Sequence, residues 1–451
     1  MKLKTFTLQS ICLAACGMLA TASANAQLVD PNFKPDGNLW GYVFGDYAVK
    51  SHSDTLSRGG GNVQYKGTTP LNSANTASSS NPAPVNTATN AFQIRRMYLG
   101  YDYQFAPNLG AYVVLANEQN VDGNGKNTTY LKYAFVKWSN VFKNSNLIMG
   151  QYQTCSFASG FGTEPLWGYR SVERTLMDMH NMDGSTDLGA SLEGKVWSQK
   201  IAPDSLKPAF VGYALQVGNN NSATPNASNF KKVRGTLFVT AMNQKLTLGV
   251  YGDYQNTQFS PYHTSNLTAK AYVSYKTENF RIGFEMFEQT NLNSDIYKTY
   301  NADTKTYKGN DTATGIQMGW SVFASARIIK SRLNVFARYD MYTPDTKFNS
   351  NNQYSAVYGG IKGVNMSSAT FYTQTFVTAG FDWTPNARLH IMPNIWYNAY
   401  NTMSGLTTSG PGGTGTDLSA RVKSDNDLAY RVTFYFLFNQ KNRVSNNGMD
   451  N

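Results

Sequence analysis

Asp187-Leu188-Gly189-Ala190-Ser191-Leu192-Glu193-Gly194-Lys195-Val196 alternates in character along its length. Leu188, Ala190, Leu192, Gly194 and Val196 share one face, and Asp187, Ser191, Glu193 and Lys195 share the other. A strand of this kind has one side suited to lipid and one to water. Upstream, Leu147-Ile148-Met149-Gly150-Gln151-Tyr152-Gln153-Thr154 reads as a second strand. Between the two, Phe157 to Ser185 is long and rich in bulky side chains, whereas most connections take about 4 to 6 residues. If the remaining strands close a barrel, this segment is expected to fold inward and narrow it.

Outward from this pair, strand-like alternation recurs at 38–49, 92–105, 108–118, 130–139, 146–156, 186–197, 208–218, 232–242, 245–257, 266–277, 279–290, 315–328, 331–343, 369–383, 387–400 and 427–438, sixteen segments in all. Most are close to the roughly 9 to 11 residues that a tilted strand needs to cross the hydrocarbon. Met97, Leu99, Tyr101, Tyr103 and Phe105 oppose Arg96, Tyr98, Gly100, Asp102 and Gln104. In the last segment Val432, Phe434, Phe436 and Phe438 oppose Arg431, Thr433 and Tyr435. Segments 38–49 and 130–139 show no clear lipid face.

The connections alternate in length. Ala106-Pro107, Asn243-Gln244, Thr277-Glu278, Ile329-Lys330 and Thr384 to Asn386 are tight turns. Between them run long polar stretches: Lys50 to Ala91, Glu118 to Thr129, Phe157 to Ser185, Asn219 to Lys231, Asn291 to Thr314, Pro344 to Ser368 and Asn401 to Asn426, with a shorter one near Gln258 to Ser265. Short turns at one end and long loops at the other match an outer-membrane barrel; a soluble sandwich has no reason to segregate loop length. The expected fold is therefore all-β: a transmembrane antiparallel β-barrel of about sixteen strands over 38–438, with an inward-folded third external loop and a polar tail at 439–451. Trp40, Trp138, Trp197 and Trp383 fall at strand ends on the short-turn side, as an interfacial belt requires.

Lys2 and Lys4, the apolar run Ile11 to Ala22 and the small residues of Ala24-Asn25-Ala26 read as a secretory signal, residues 1–26, followed by a short periplasmic segment 27–37. Leu13-Ala14-Ala15-Cys16 offers an alternative, a lipoprotein box in which Cys16 is acylated. After cleavage Cys155 is alone, so no intrachain disulfide is expected. Loss of Lys2 and Lys4 lowers the formal charge from +11 to 11 − 2 = +9. The basic residues are scattered rather than in runs, which argues against nucleic acid as a partner. A mean hydropathy of −0.41 with no long apolar segment excludes a helical membrane protein but fits a barrel, in which apolar-out and polar-in residues average to hydrophilic.

Met149-Gly150-Gln151-Tyr152-Gln153 leading into Phe157, then Val172-Glu173-Arg174, then the Asp187 to Gly194 strand, resembles the core of the phosphate-selective porin O and P family. The resemblance covers about 50 residues and departs from the family where Thr154-Cys155 stands in place of a usual proline. It implies a sixteen-stranded trimeric porin with the third loop inside. The row of inward arginines that makes such porins prefer phosphate is not evident.

The strand phases place Arg96, Lys195, Arg234, Lys270, Lys276, Arg281, Arg327, Arg338, Arg388 and Arg431 inward, against Asp102, Asp187, Glu193, Asp253, Glu285, Asp340, Asp382 and Asp427. Arg96, Lys195, Arg234, Arg281, Arg338, Arg388 and Arg431 are the candidate pore-lining cations. Glu164, Arg170, Glu173, Arg174, Asp178 and Asp183 are the candidate constriction residues on the third loop. Two roles are open to them: a transverse field across the constriction that orders polar solutes, or pairing that holds the loop to the wall. Phe161, Trp167 and Tyr169 offer either a sliding surface for solutes or wedges that fix the loop.

No catalytic constellation is evident. The four histidines are His52, His180, His263 and His390, and the single grouping worth naming is His180 with Asp178 and Asp183. No spacing suggests a metal or cofactor; Asp303 and Asp311 lack the regular ligand spacing of a calcium loop. The function expected is an outer-membrane porin for small polar solutes or anions such as phosphate, a homotrimer partnered by outer-membrane lipid and lipopolysaccharide. The alternative is a non-conducting structural or adhesive barrel acting through its external loops. With no separate plug domain evident ahead of the first strand, the channel is favoured.

Overall fold

The computed structural model describes residues 32–52, 54, 89–118, 126–160, 162–199, 208–220, 230–258, 263–301, 306–330, 332–347, 352–354, 372–402 and 424–440. The signal segment and Cys16 lie outside them. Sixteen strands form the wall: β1 (Asp36–His52), β2 (Thr89–Ala106), β3 (Leu109–Asn117), β4 (Tyr130–Phe142), β5 (Ser145–Gln153), β6 (Thr186–Ser198), β7 (Phe210–Gly218), β8 (Lys232–Ala241), β9 (Leu246–Gln258), β10 (Thr264–Lys276), β11 (Phe280–Asn301), β12 (Thr306–Ile329), β13 (Leu333–Thr343), β15 (Tyr372–Asn386), β16 (Leu389–Thr402) and β17 (Asp425–Asn439). A three-residue strand, β14 (Asn352–Tyr354), pairs with the far end of β11.

Each wall strand pairs antiparallel with the next, β13 passes directly to β15, and β17 returns to pair with β1. Closure removes both sheet edges, so the strands' backbone polar groups find partners within the wall, as a structure in hydrocarbon requires. No described helix is long and apolar enough to cross a membrane; the strands do the crossing.

The two faces differ as the alternation predicts. Leu99, Tyr101, Leu188, Leu215, Leu237, Val250, Leu267, Ile282, Met286 and Val432 stand exposed on the outside, while Thr236, Lys270, Gln289, Ser321, Thr378 and Thr433 are buried inside. Tyr103, Phe105, Phe142, Trp197, Phe381, Trp383, Phe436 and Phe438 stand exposed at the short-turn end of their strands, where an interfacial girdle belongs. Trp40 corrects the belt expectation: it points inward, 3% exposed, and its indole N–H donates to Asp102 at 2.9 Å.

One connection also differs. The stretch 291–314, expected as a long loop, continues the β11–β12 ladder as far as Asn301 opposite Thr306, with two breaks in register. Its polar composition reads as a loop although its backbone pairs.

Candidate functional site

Two β-bulges bring extra cations into the interior. In β2, Gly45 pairs with Ile94 and Phe44 with Arg96, leaving Arg95 as the additional residue, and both arginines engage interior groups. In β4, Val114 pairs with Tyr133 and Leu115 with Leu131, so Lys132 is additional and is buried beside Tyr133. Lys132, Arg96 and Arg170 all reach the Glu118 carboxylate, at 2.9, 3.3 and 3.6 Å, and the hydroxyls of Tyr98 and Tyr130 donate to it. Asp46 of β1, wholly buried, lies 3.7 Å from Arg95 of β2 and 3.8 Å from Arg431 of β17, where the first and last strands meet.

The segment between β5 and β6 touches side chains from much of the wall. Leu176, Met177 and Met182 pack with Ala214, Tyr251, Phe287 and Tyr342 of β7, β9, β11 and β13. Met179 packs with Ala48, Phe376, Trp396 and Ala429 of β1, β15, β16 and β17. Trp167 and Val172 pack with Phe323, Phe336 and Met392 of β12, β13 and β16. A segment touching staves on so many arcs of a closed cylinder crosses its interior. Full burial of one Leu or Met side chain is worth about 1.5–3 kcal/mol, so several together hold the segment firmly.

Polar contacts add register to that hold. Lys270 donates to the Ser156 carbonyl at 2.5 Å, Gln289 to that of Met182 at 3.1 Å, Thr236 to that of Cys155 at 2.8 Å, and Arg338 to that of Arg174 at 2.5 Å. Asp183 accepts two bonds of 2.8 Å from Arg234 and one of 3.1 Å from Lys232. Glu173 lies 3.6 Å from Arg95 and accepts the Trp396 indole N–H at 3.0 Å. Arg170 is paired with Glu164 and with Asp178, the latter at 3.0 Å, and Arg174 lies 3.6 Å from Asp178. Each acid of the segment therefore meets a cation directly.

The candidate cations divide by position. Arg96, Arg234, Arg338 and Arg431 are held by Glu118, by Asp183 and Asp187, by Asp340, and by Asn394 respectively. Lys195 is exposed, its ammonium 4.3 Å from the Phe210 ring centre. Arg281 and Arg388 face a cavity of 660 Å³ at the short-turn end, together with Lys276, Arg327, Glu164 and Arg170. Arg95, Lys132, Lys232, Glu118 and Asp46 belong to the same interior network and were not anticipated. Lys232 alone carried a signal, since it shares the phase of Arg234.

Trp167 is wedged against Phe323 and Phe336 with the Arg338 guanidinium 5.3 Å from its ring. Tyr169 lies over Phe336 at 4.5 Å and faces the cavity, and Phe161 lies outside the described residues. His180 stacks on Tyr342 at 3.5 Å. Burial, then Arg174 and Arg338, push its pKa down to about 3, so the ring is neutral. Its sequence neighbours Asp178 and Asp183 are engaged by arginines, and the grouping that a hydrolase needs is not assembled. Cys155 is 3% exposed, and burial raises its thiol to about 12, which leaves it unreactive. Among the described residues no group of three or more His, Cys, Asp or Glu converges to hold a metal. Asp303 and Asp311 lie outside the residues whose side chains are described.

The fold is similar to that of the outer-membrane channel DcaP of Acinetobacter baumannii, with a TM-score of 0.51 at 10% identity over 90% of this chain and 97% of that one. The chain has the fold of an outer-membrane barrel. The anion-selective porin from Comamonas acidovorans (TM-score 0.49, 10% identity, 90% and 100% covered) and Salmonella typhi OmpF in complex with daunomycin (0.48, 12%, 89% and 98%) resemble it more loosely. At such identities the likeness concerns the fold alone. No family model and no curated protein matches the sequence, so the phosphate-selective porin resemblance of its central motifs extends to no family match.

Proposed function

We propose that this protein is a porin, passing small polar solutes by diffusion through the barrel, with the segment between β5 and β6 as its constriction. The observation that carries the reading is a closed cylinder whose interior is polar and charged and which opens at its short-turn end into a 660 Å³ cavity roofed by that segment. Glu164, Arg170, Glu173, Arg174, Asp178 and Asp183 act first as the pins of the constriction, each engaged by a partner on the segment or the wall. Of the cations facing the cavity, Arg281 and Arg388 line the permeation path, and anions are the favoured solutes. Specific selection of phosphate draws no support from Arg234 and Arg338, whose guanidiniums are engaged by wall and loop groups, or from Arg431, which is buried against Asn394 and 3.8 Å from Asp46. The arrangement is that of a channel rather than an enzyme, and it assembles as a trimer with the short turns in the periplasm.

The burial of the crossing segment favours a second reading: Phe157, Val172, Leu176 and Met177 are 0% exposed, as suits a sealed barrel working through its outer loops. Planar bilayers separate the two. Stepwise conductance from the purified protein supports the porin. No current from the intact protein, with large steps from a variant lacking 157–185, establishes the sealed barrel. Cross-linking in native membranes tests the trimer.

A further inference from the structure

The outer wall carries a depression near the short-turn end of β11, β12 and β13. Phe280 and Ile282 of β11, Ala324 and Ala326 of β12, and Val335 and Ala337 of β13 line a groove of about 270 Å³. In the ladder Ala326 lies between Phe280 and Val335, and Ala324 between Ile282 and Ala337, so short side chains form the floor below larger ones. The intervening Arg281 and Ser325 line the interior cavity and Phe336 packs with Trp167, which turns those three inward and leaves the groove open to the outside. Phe280 and Ile282 are 45% and 49% exposed at its edge.

Two cations stand at the end of this groove. The turn from β12 to β13 is closed by the Arg332 amide donating to the Ile329 carbonyl at 3.1 Å, and Lys330 and Arg332 in it are exposed. Neither side chain has an ion-pair partner among the described residues. The adjoining β10–β11 and β15–β16 turns hold one acid, Glu278, which lines the interior cavity rather than the groove. Ile328, Ile329 and Trp383 flank the turn, each about half exposed. Trp383 stands beside Arg332, because the next amide, that of Thr384, donates to the Arg332 carbonyl at 2.8 Å. From Lys330 back to Ala326 and Ala324 is roughly 14–20 Å of strand, close to the depth of about 15 Å for the hydrocarbon of one leaflet.

We propose that the groove seats one acyl chain of an anionic phospholipid whose phosphate lies between Lys330 and Arg332. The chain fills a depression lined by hydrocarbon, and the headgroup supplies the charge that the turn lacks. A second copy of this protein covering the groove would have to bring an acid to the level of the turns to match both cations. A phosphate already lies at that level in a bilayer. The inference rests on the wall standing in a membrane, as the porin reading requires, but it is independent of conduction.

Trp383 serves as the reporter, read as the fluorescence difference between the full chain and its Trp383→Phe variant in phosphatidylcholine vesicles. Dibrominated phosphatidylglycerol, which is anionic, is expected to quench it at about tenfold lower mole fraction than dibrominated phosphatidylcholine, which is zwitterionic. That preference is expected to disappear in the Lys330→Gln/Arg332→Gln protein. Ala337→Phe fills the groove while both cations remain, and it is expected to weaken the preference at least about threefold. All of these side chains are on the surface, so the variants fold. Equal quenching by the two lipids, or a preference unchanged in either the double variant or Ala337→Phe, overturns the inference. So does a Trp383 that neither lipid quenches, since a second copy then covers the groove. A protein that conducts but shows no lipid preference keeps the channel and loses the lipid site; one that prefers the anionic lipid but passes no current does the reverse.

Discussion

At the scale of single residues, the interior is governed by the cost of leaving a buried charge alone. Arg234 is 1% exposed and spans Asp183 on the crossing segment and Asp187 on the wall. Removing one partner of a buried pair typically costs about 3–5 kcal/mol. Arg234→Ala is therefore expected to lower the urea midpoint of unfolding in micelles by a corresponding amount. Arg234→Lys should restore only part of it, since an ammonium cannot reproduce the two-pronged grip on Asp183. Glu164 behaves differently. Burial raises its carboxyl to about 7, Arg170 opposes that rise, Asp178 adds to it, and Arg96 and Lys132 lower it. Below pH 7 the group is neutral and above it carries −1, so the interior is more positive in acid. Reversal potentials in a salt gradient should accordingly shift toward anions between pH 8 and pH 6, and the shift should vanish in Glu164→Gln.

At the scale of elements, bulges and glycines place the charges, and they mark where the sequence could and could not be read. The phases of β2, β6, β11 and β17 were legible because apolar residues face out at every second position. In β1 the inward face carries Trp40, Tyr42 and Phe44, an aromatic cluster with Tyr98 and Tyr133, so apolar-out failed as a rule. In β4 the bulge at Lys132 reverses the phase partway, and no single face could be assigned. Arg95 escaped for the same reason: strict alternation turns it toward lipid, and only the extra residue in the ladder turns it inward. Partners such as Glu118 with Lys132, or Asp46 with Arg431, are set by tertiary contact and leave no local trace. Gly150 was visible as part of a motif, and its geometry gives the reason: with φ +125° an added Cβ would strike the Ala134 carbonyl. Gly150→Val is expected to lose several kcal/mol or fail to fold, given about 1–3 kcal/mol for the backbone conformation alone. Gly235→Ala, whose new methyl would meet only Leu215 at 3.5 Å, should be nearly neutral. Resistance of the folded form to heating in detergent, read by gel mobility, compares the two.

At the scale of the whole molecule, the wall inverts soluble-protein logic: large apolar side chains stand exposed on its outer face while many charged and polar ones are buried inside. Leu237, midway along β8 and 49% exposed, faces outward. Leu237→Arg should destabilise the protein by about 2–4 kcal/mol when refolded into lipid vesicles, with a smaller effect for Leu237→Ala. Equal effects would place this surface in water rather than hydrocarbon. The Asp46 site carries a consequence for biogenesis. Its two arginines come from opposite termini of the sheet, Arg95 beside the N-terminal strand and Arg431 in the C-terminal one. An incomplete sheet holds this carboxylate with only half of its neutralising charge. The last strand thus delivers a cation as well as a hydrogen-bonding edge, and an Arg431→Met chain refolded into detergent micelles should accumulate as an unclosed form that protease digests faster than the native protein.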